Sequence, residues 1–121
     1  MQHAHGAIIY NITPSEIISI VQTLPHDSTY QDILPLLPPD EPRFIAYDAH
    51  FKNDEGHDRN KLVFIHWSPE TCPVPRKMIY ATCKENFKRK LSGININLQA
   101  VDMGDLDYDD LLNTLKRSTS W

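Results

Sequence analysis

Lys61-Leu-Val-Phe-Ile-His-Trp-Ser-Pro-Glu70, followed after two residues by Pro73-Val-Pro-Arg-Lys-Met-Ile-Tyr-Ala81, decides the fold of this chain. Lys61 to Trp67 is rich in apolar and aromatic residues over a strand's length and reads as a strand. Ser68-Pro69-Glu70 and the prolines at 73 and 75 make a rigid connection, because each proline fixes its own φ. Pro75 sits where a helix can begin, since its missing N–H is not needed in a first turn. Arg76 to Leu91 is the longest helix candidate, and Gly93 is placed to stop it. Ile94-Asn-Ile-Asn-Leu-Gln-Ala100 then alternates strictly, as a half-buried strand does.

Upstream, Arg43 to Asp48 reads as a strand paired with Lys61–Trp67 in a hairpin. The polar run Lys52 to Asn60 would be its long, charged tip. Ala7 to Ile12 and Glu16 to Val21 read as two further strands broken by Thr13-Pro14-Ser15. Thr23 to Ser28 reads as a loop. A short helix from Thr29 to about Leu37 follows, capped by Asp27 or Ser28 and ended by the prolines at 38, 39 and 42. Downstream, Leu106 to Leu115 reads as a last helix with Asp105 or Asp107 as cap and Lys116 and Arg117 at its negative end. Ser118 to Trp121 reads as a frayed tail. The order strand, strand, helix, strand, strand, helix, strand, helix predicts an α/β protein: a central mixed sheet flanked by helices.

At 121 residues the chain fits one domain, because two would each bury too small a core. No apolar run approaches the roughly 20 residues that cross a bilayer, which argues against an integral membrane protein. Met1 to Gly6 has neither the basic end nor the apolar core of a secretory signal. Cys72 and Cys83 are accordingly read as reduced thiols in a cytosolic protein. The net charge of −4 argues against nucleic acid. The distribution says more. Arg76 to Lys90 holds six basic residues and one acid, so it carries +5 while the rest of the chain carries −9. A cationic strip on an acidic protein suits an acidic-faced partner; taken alone, it also suits a solvated helix face.

Catalytic motifs are missing. The four glycines are not clustered, so there is no phosphate loop. The spacing of His3 and His5 would suit a metal, but a polar terminus explains them more simply. His50, His57 and His66 are scattered, and His66 alternates with core residues on a strand. Cys72 and Cys83 lack the paired spacing of a zinc site. Asp105, Asp107, Asp109 and Asp110 lack the glycine and glutamate of a calcium loop, and helix capping accounts for them better. The expectation is a binding module with no metal or cofactor, not an enzyme.

The central stretch, with Lys84 beyond it, resembles the signature of the ADF/cofilin family. Arg43-Phe-Ile-Ala-Tyr-Asp48, Leu91-Ser-Gly-Ile94, Leu98-Gln-Ala100 and the closing helix at Asp107-Tyr108 extend the resemblance from about residue 7 to 117. It implies an ADF-homology fold, binding to actin monomers and filaments with filament depolymerisation or severing, and a place in the cytoplasm and cytoskeleton. Carried over residue by residue, the long helix would meet actin through Arg76, Lys77, Met78, Lys84, Phe87, Lys88 and Arg89. At 100° per residue Lys77, Lys84 and Lys88 form one stripe, while Ile79 and Leu91 can face the sheet. Met78 and Phe87 also have a simpler reading as core residues. A second, filament-binding surface would use Arg59, Lys61 and Arg117.

The sequence departs from the family pattern in places. Asn113 and Thr114 replace charged residues, and Pro75 replaces one that is often basic. The chain starts at the equivalent of the first strand, so the family's serine-bearing tail and first helix are expected to be absent. That would weaken activity and leave a sheet face uncovered. The alternative is an adaptor similar to glia maturation factor, which binds an actin-branching complex instead; Glu41-Pro-Arg-Phe-Ile45 is compatible with that branch. Phosphoinositide headgroups are a further partner that the basic strip suggests.

Overall fold

A computed structural model describes residues 5–117 apart from residue 92. The expected tail at 118–121 and the side chains of His3 and His5 lie outside the described residues. Five strands, β1 (His5–Ile12), β2 (Ile18–Pro25), β3 (Arg43–Lys52), β4 (Asp58–Trp67) and β5 (Ile94–Ala100), form one sheet in the order β2-β1-β3-β4-β5. The first four pair antiparallel, and β5 runs parallel to β4 after a helical crossover. The helices are α1 (Tyr30–Ile33), α2 (Val74–Lys90) and α3 (Tyr108–Arg117). This is the mixed sheet with helices that the element order predicts.

Side chains on successive strand positions point to opposite faces, and here each face has its own core. Ile9, Ile45, Val63 and Ile65 meet Tyr30, Ile33, Leu111 and Leu115 on the α1/α3 face. Tyr10, Ile12, Phe44 and Phe64 meet Tyr80 and Phe87 under α2. The second core is aromatic. Phe87 stacks on Phe44 at 5.5 Å and meets the edge of Tyr10 at 4.7 Å, arrangements that add to plain area burial.

Four expectations shift, each for a physical reason. The turn after β1 runs to Ile17, closed by Thr13 accepting from Glu16 N–H and donating to the Ile17 carbonyl, with Glu16 at φ 61°. The strand β2 therefore starts later than expected and continues through Thr23 to Pro25. Thr23 suggests a loop only because an edge strand can show polar residues to water. Thr29, not Asp27 or Ser28, caps α1: Asp32 Oδ2 accepts from Thr29 N–H at 2.8 Å. Pro35 offers no N–H, and the α-helix tightens into a 3-10 turn over Leu34–Leu36.

The hairpin tip is shorter than Lys52–Asn60, since only 53–57 lie outside the strands. Asn53 organises it, with its side-chain oxygen accepting from Glu55 and His57 N–H at 3.0 and 2.9 Å. Finally, α3 begins at Tyr108 because Met103–Leu106 forms a separate 3-10 turn. Asp107 caps α3 through Asp110 N–H, and Asp102 and Asp105 accept from neighbouring backbone amides. The acidic run thus serves capping. Cys72 and Cys83 are both free thiols.

Candidate partner-binding surface

The start of α2 is held on both sides. Upstream, Trp67 Nε1 donates to the Pro38 carbonyl at 2.7 Å and Thr71 Oγ1 to that of Pro39 at 2.8 Å, so the two proline-rich segments brace each other. Toward β1, Tyr80 Oη accepts from Ile12 N–H at 2.8 Å, and Arg76 donates to the Ile12 carbonyl at 2.6 Å. Arg76 also meets Glu41 at 3.5 Å and lies against the Tyr80 ring. Gly93, at φ 86°, takes the chain out of the helix in a conformation other residues avoid.

These anchors fix which face of α2 looks outward. Val74 and Met78, four residues apart, are 63% and 62% exposed. Ala81, Thr82, Glu85 and Arg89 continue the exposed row. Along the flank facing β5 run the three lysines that the helical spacing places together. Lys77 Nζ reaches the Glu70 carbonyl at 3.1 Å, Lys84 the side chain of Gln99 at 3.4 Å, and Lys88 that of Asn97 at 3.0 Å. Their stems lie along the seam, and their ammonium groups stay in a row beside the apolar strip of Val74 and Met78. Lys88 also pairs with Glu85 at 3.2 Å, one turn away.

Two of the expected contact residues are placed differently. Phe87 is buried at 9% exposure in the aromatic core, because its ring finds Phe44 and Tyr10 there. It anchors the helix instead of offering a surface. Arg76 is turned inward onto Ile12 and Glu41. Met78, Lys77, Lys84, Lys88 and Arg89 remain on or beside the outer face. Val74 was not among the expected residues, although its place four residues before Met78 is a signal in the sequence. Nor were Asn97 and Gln99, which the alternation of β5 already puts on one polar face.

The second expected surface assembles in part. Lys116 Nζ on α3 meets Asp54 Oδ1 at the hairpin tip at 3.0 Å, which joins the two elements that carry Arg59 and Arg117. Arg59 and Arg117 are exposed. Lys61 is not: at 7% exposure it sits on the α3 side of β4, in line with Val63 and Ile65. The alternation that buries Val63 also buries Lys61.

Beneath α2, His66 is 3% exposed, edge-on to Phe44, and neither ring nitrogen has a protein partner. Burial, helped by the nearby Lys84 charge, pushes its pKa down to about 4. It is a neutral core residue at physiological pH.

The model of the cofilin/tropomyosin-type actin-binding protein family matches residues 1–116. The chain belongs to this ADF/cofilin family. Actin-depolymerizing factor 3 of Arabidopsis thaliana is 39% identical over 109 residues, covering 89% of this chain and 78% of that protein. Cofilin of Mycosarcoma maydis is 33% identical over 112 residues, covering 93% and 81%. Among solved structures, Streptomyces griseoflavus cofilin superposes with a TM-score of 0.84 at 28% identity, covering 93% of this chain and 83% of that one. The family is one of binding proteins, not of enzymes. Among the described residues no helix is long and apolar enough to cross a membrane.

Proposed function

We propose that this ADF/cofilin-type chain binds actin, as monomer and filament, through the outer face of α2. The observation that carries this reading is Met78, 62% exposed one turn after an equally exposed Val74 and flanked by the row Lys77, Lys84, Lys88. A buried apolar side chain gains roughly 1.5–3 kcal/mol over an exposed one, so a rigid helix that leaves two uncovered has a surface suited to docking. Methionine adapts to an irregular apolar cleft, and the lysines steer the approach to an acidic rim. Arg89 extends this surface. Arg59 and Arg117, carried by the two elements that the Lys116–Asp54 ion pair joins, form the proposed filament-specific contact.

On this reading the chain promotes filament depolymerisation or severing in the cytoplasm and cytoskeleton. Anionic phosphoinositide headgroups would compete for the same lysines. The adaptor alternative is disfavoured because the two similar proteins from Arabidopsis thaliana and Mycosarcoma maydis are named as an actin-depolymerizing factor and a cofilin. The test is co-sedimentation with filaments together with nucleotide exchange on actin monomers. Met78→Glu should weaken both by about tenfold or more, the size of effect for a central contact residue worth over 1 kcal/mol. Wild-type protein without effect on either assay, or Met78→Glu acting as wild type, overturns the reading.

A further inference from the structure

At the end of the sheet away from the start of α2, three side chains that the sequence keeps apart come together. His26 lies in the turn after β2, and Asp48 and His50 are two positions apart on β3. One ligating atom from each falls within 4.8 Å of the others. His50 Nε2 is 3.3 Å from Asp48 Oδ2, and the His26 and His50 rings meet edge to face at 5.5 Å. Asp48 is only 3% exposed, and its second oxygen accepts from the Asn60 amide at 3.1 Å.

We propose that His26, Asp48 and His50 form a binding site for one divalent transition-metal ion of the zinc class. The donor set, two imidazoles and one carboxylate, is one that zinc uses when a fourth position is left open. The spacing agrees. Bonds of about 2.0–2.2 Å at a tetrahedral angle put neighbouring donors about 3.3–3.6 Å apart, and Nε2 and Oδ2 already stand at 3.3 Å. The His26 donor already lies within 4.8 Å of the other two, and its side chain is exposed, so the third corner closes by a side-chain adjustment.

The surroundings are those of a supported site. Asn60 holds the carboxylate through its other oxygen, as outer hydrogen bonds do for metal ligands. The loop carrying His26 is pressed against β1: a Cβ on Gly6 would come within 2.4 Å of the Pro25 carbonyl oxygen. Only glycine allows that approach, and it limits how far His26 can drift. The open coordination position would face a cleft of about 590 Å³ lined by Ser28, Thr29, Tyr47 and Tyr108 among others, with room for a water or a small anion. Bound metal would tie the β2–α1 turn to β3. The proposal is independent of actin binding.

The test uses the full chain, stripped of metal and titrated with zinc chloride by calorimetry and with cobalt(II) by absorption. One ion per chain, the intense visible bands of four-coordinate cobalt and a zinc-dependent rise in Tm are expected. His26→Ala and His50→Ala should each weaken binding by about tenfold or more. Both residues are exposed, so circular dichroism should show the fold retained. His57→Ala, and His3→Ala with His5→Ala, should bind as wild type. No stoichiometric binding, unchanged affinity in both His26→Ala and His50→Ala, or a loss that follows His3 and His5 instead would each overturn the proposal.

Discussion

The two candidate surfaces differ in how many elements must meet to make them. On α2 every expected residue belongs to one helix, and that helix is bolted to the sheet by Phe87, Tyr80 and Arg76. The second surface takes Arg59 from β4 and Arg117 from α3, and the tie between hairpin tip and α3 is the Lys116–Asp54 pair, whose aspartate side chain is 84% exposed. Exposed ion pairs contribute about 0–1 kcal/mol and are screened by salt. The first surface should therefore be as rigid as the core. The second should be a looser assembly whose geometry answers to ionic strength.

The largest expected effect would break this contrast if it failed. Phe87→Ala removes the ring that stacks on Phe44 and meets Tyr10 edge-on, and should cost about 3–5 kcal/mol in urea unfolding. A loss below about 1 kcal/mol would mean that α2 is not anchored by that ring.

Next is pH. His66 has its folded pKa lowered to about 4, so below pH 6.5 the unfolded chain takes up a proton that the folded chain refuses. Stability from this group is complete above pH 6.5 and is lost progressively down to pH 4, by about 3 kcal/mol at 1.36 kcal/mol per pKa unit. His66→Leu should flatten that part of the Tm–pH curve; an unchanged slope would place the acid sensitivity elsewhere.

Arg76→Met follows, with an expected loss of about 1–3 kcal/mol from an unpartnered Ile12 carbonyl. If instead it left stability intact and weakened actin binding, Arg76 would belong to the surface and not to the anchor. The smallest effect is Lys116→Ala, within about 0.5 kcal/mol in thermal melts. Its filament binding should differ from wild type at low salt and converge with it at high salt, which sharpens the contrast with Met78→Glu.

The same contrast explains what could be read from the sequence. Helical spacing alone put Lys77, Lys84 and Lys88 in one row, and strict alternation gave β5 at its observed bounds. Lys61 misled because it matches a basic contact position of the family, whereas the strand's period of two puts it on the buried face with Val63. Phe87 could be assigned either way until the positions of Phe44 and Tyr10 on separate strands were known. The turn after β1 depends on Glu16 taking a left-handed backbone, which composition does not announce. His26 carried no local signal, because its neighbours Asp48 and His50 arrive only through the pairing of β1 with β3 and the close pass at Gly6.

Ile12 gives the helix anchor a readout of its own. Its N–H and C=O are both held by side chains of α2, from Tyr80 and Arg76, at the very end of β1. Such an amide exchanges with solvent when the helix lifts, whether or not the strand opens. A single deuterium-exchange rate at residue 12 then measures the free energy of docking α2 on the sheet. Followed with actin present, it would report whether a partner grips a helix already seated or one that it seats on arrival.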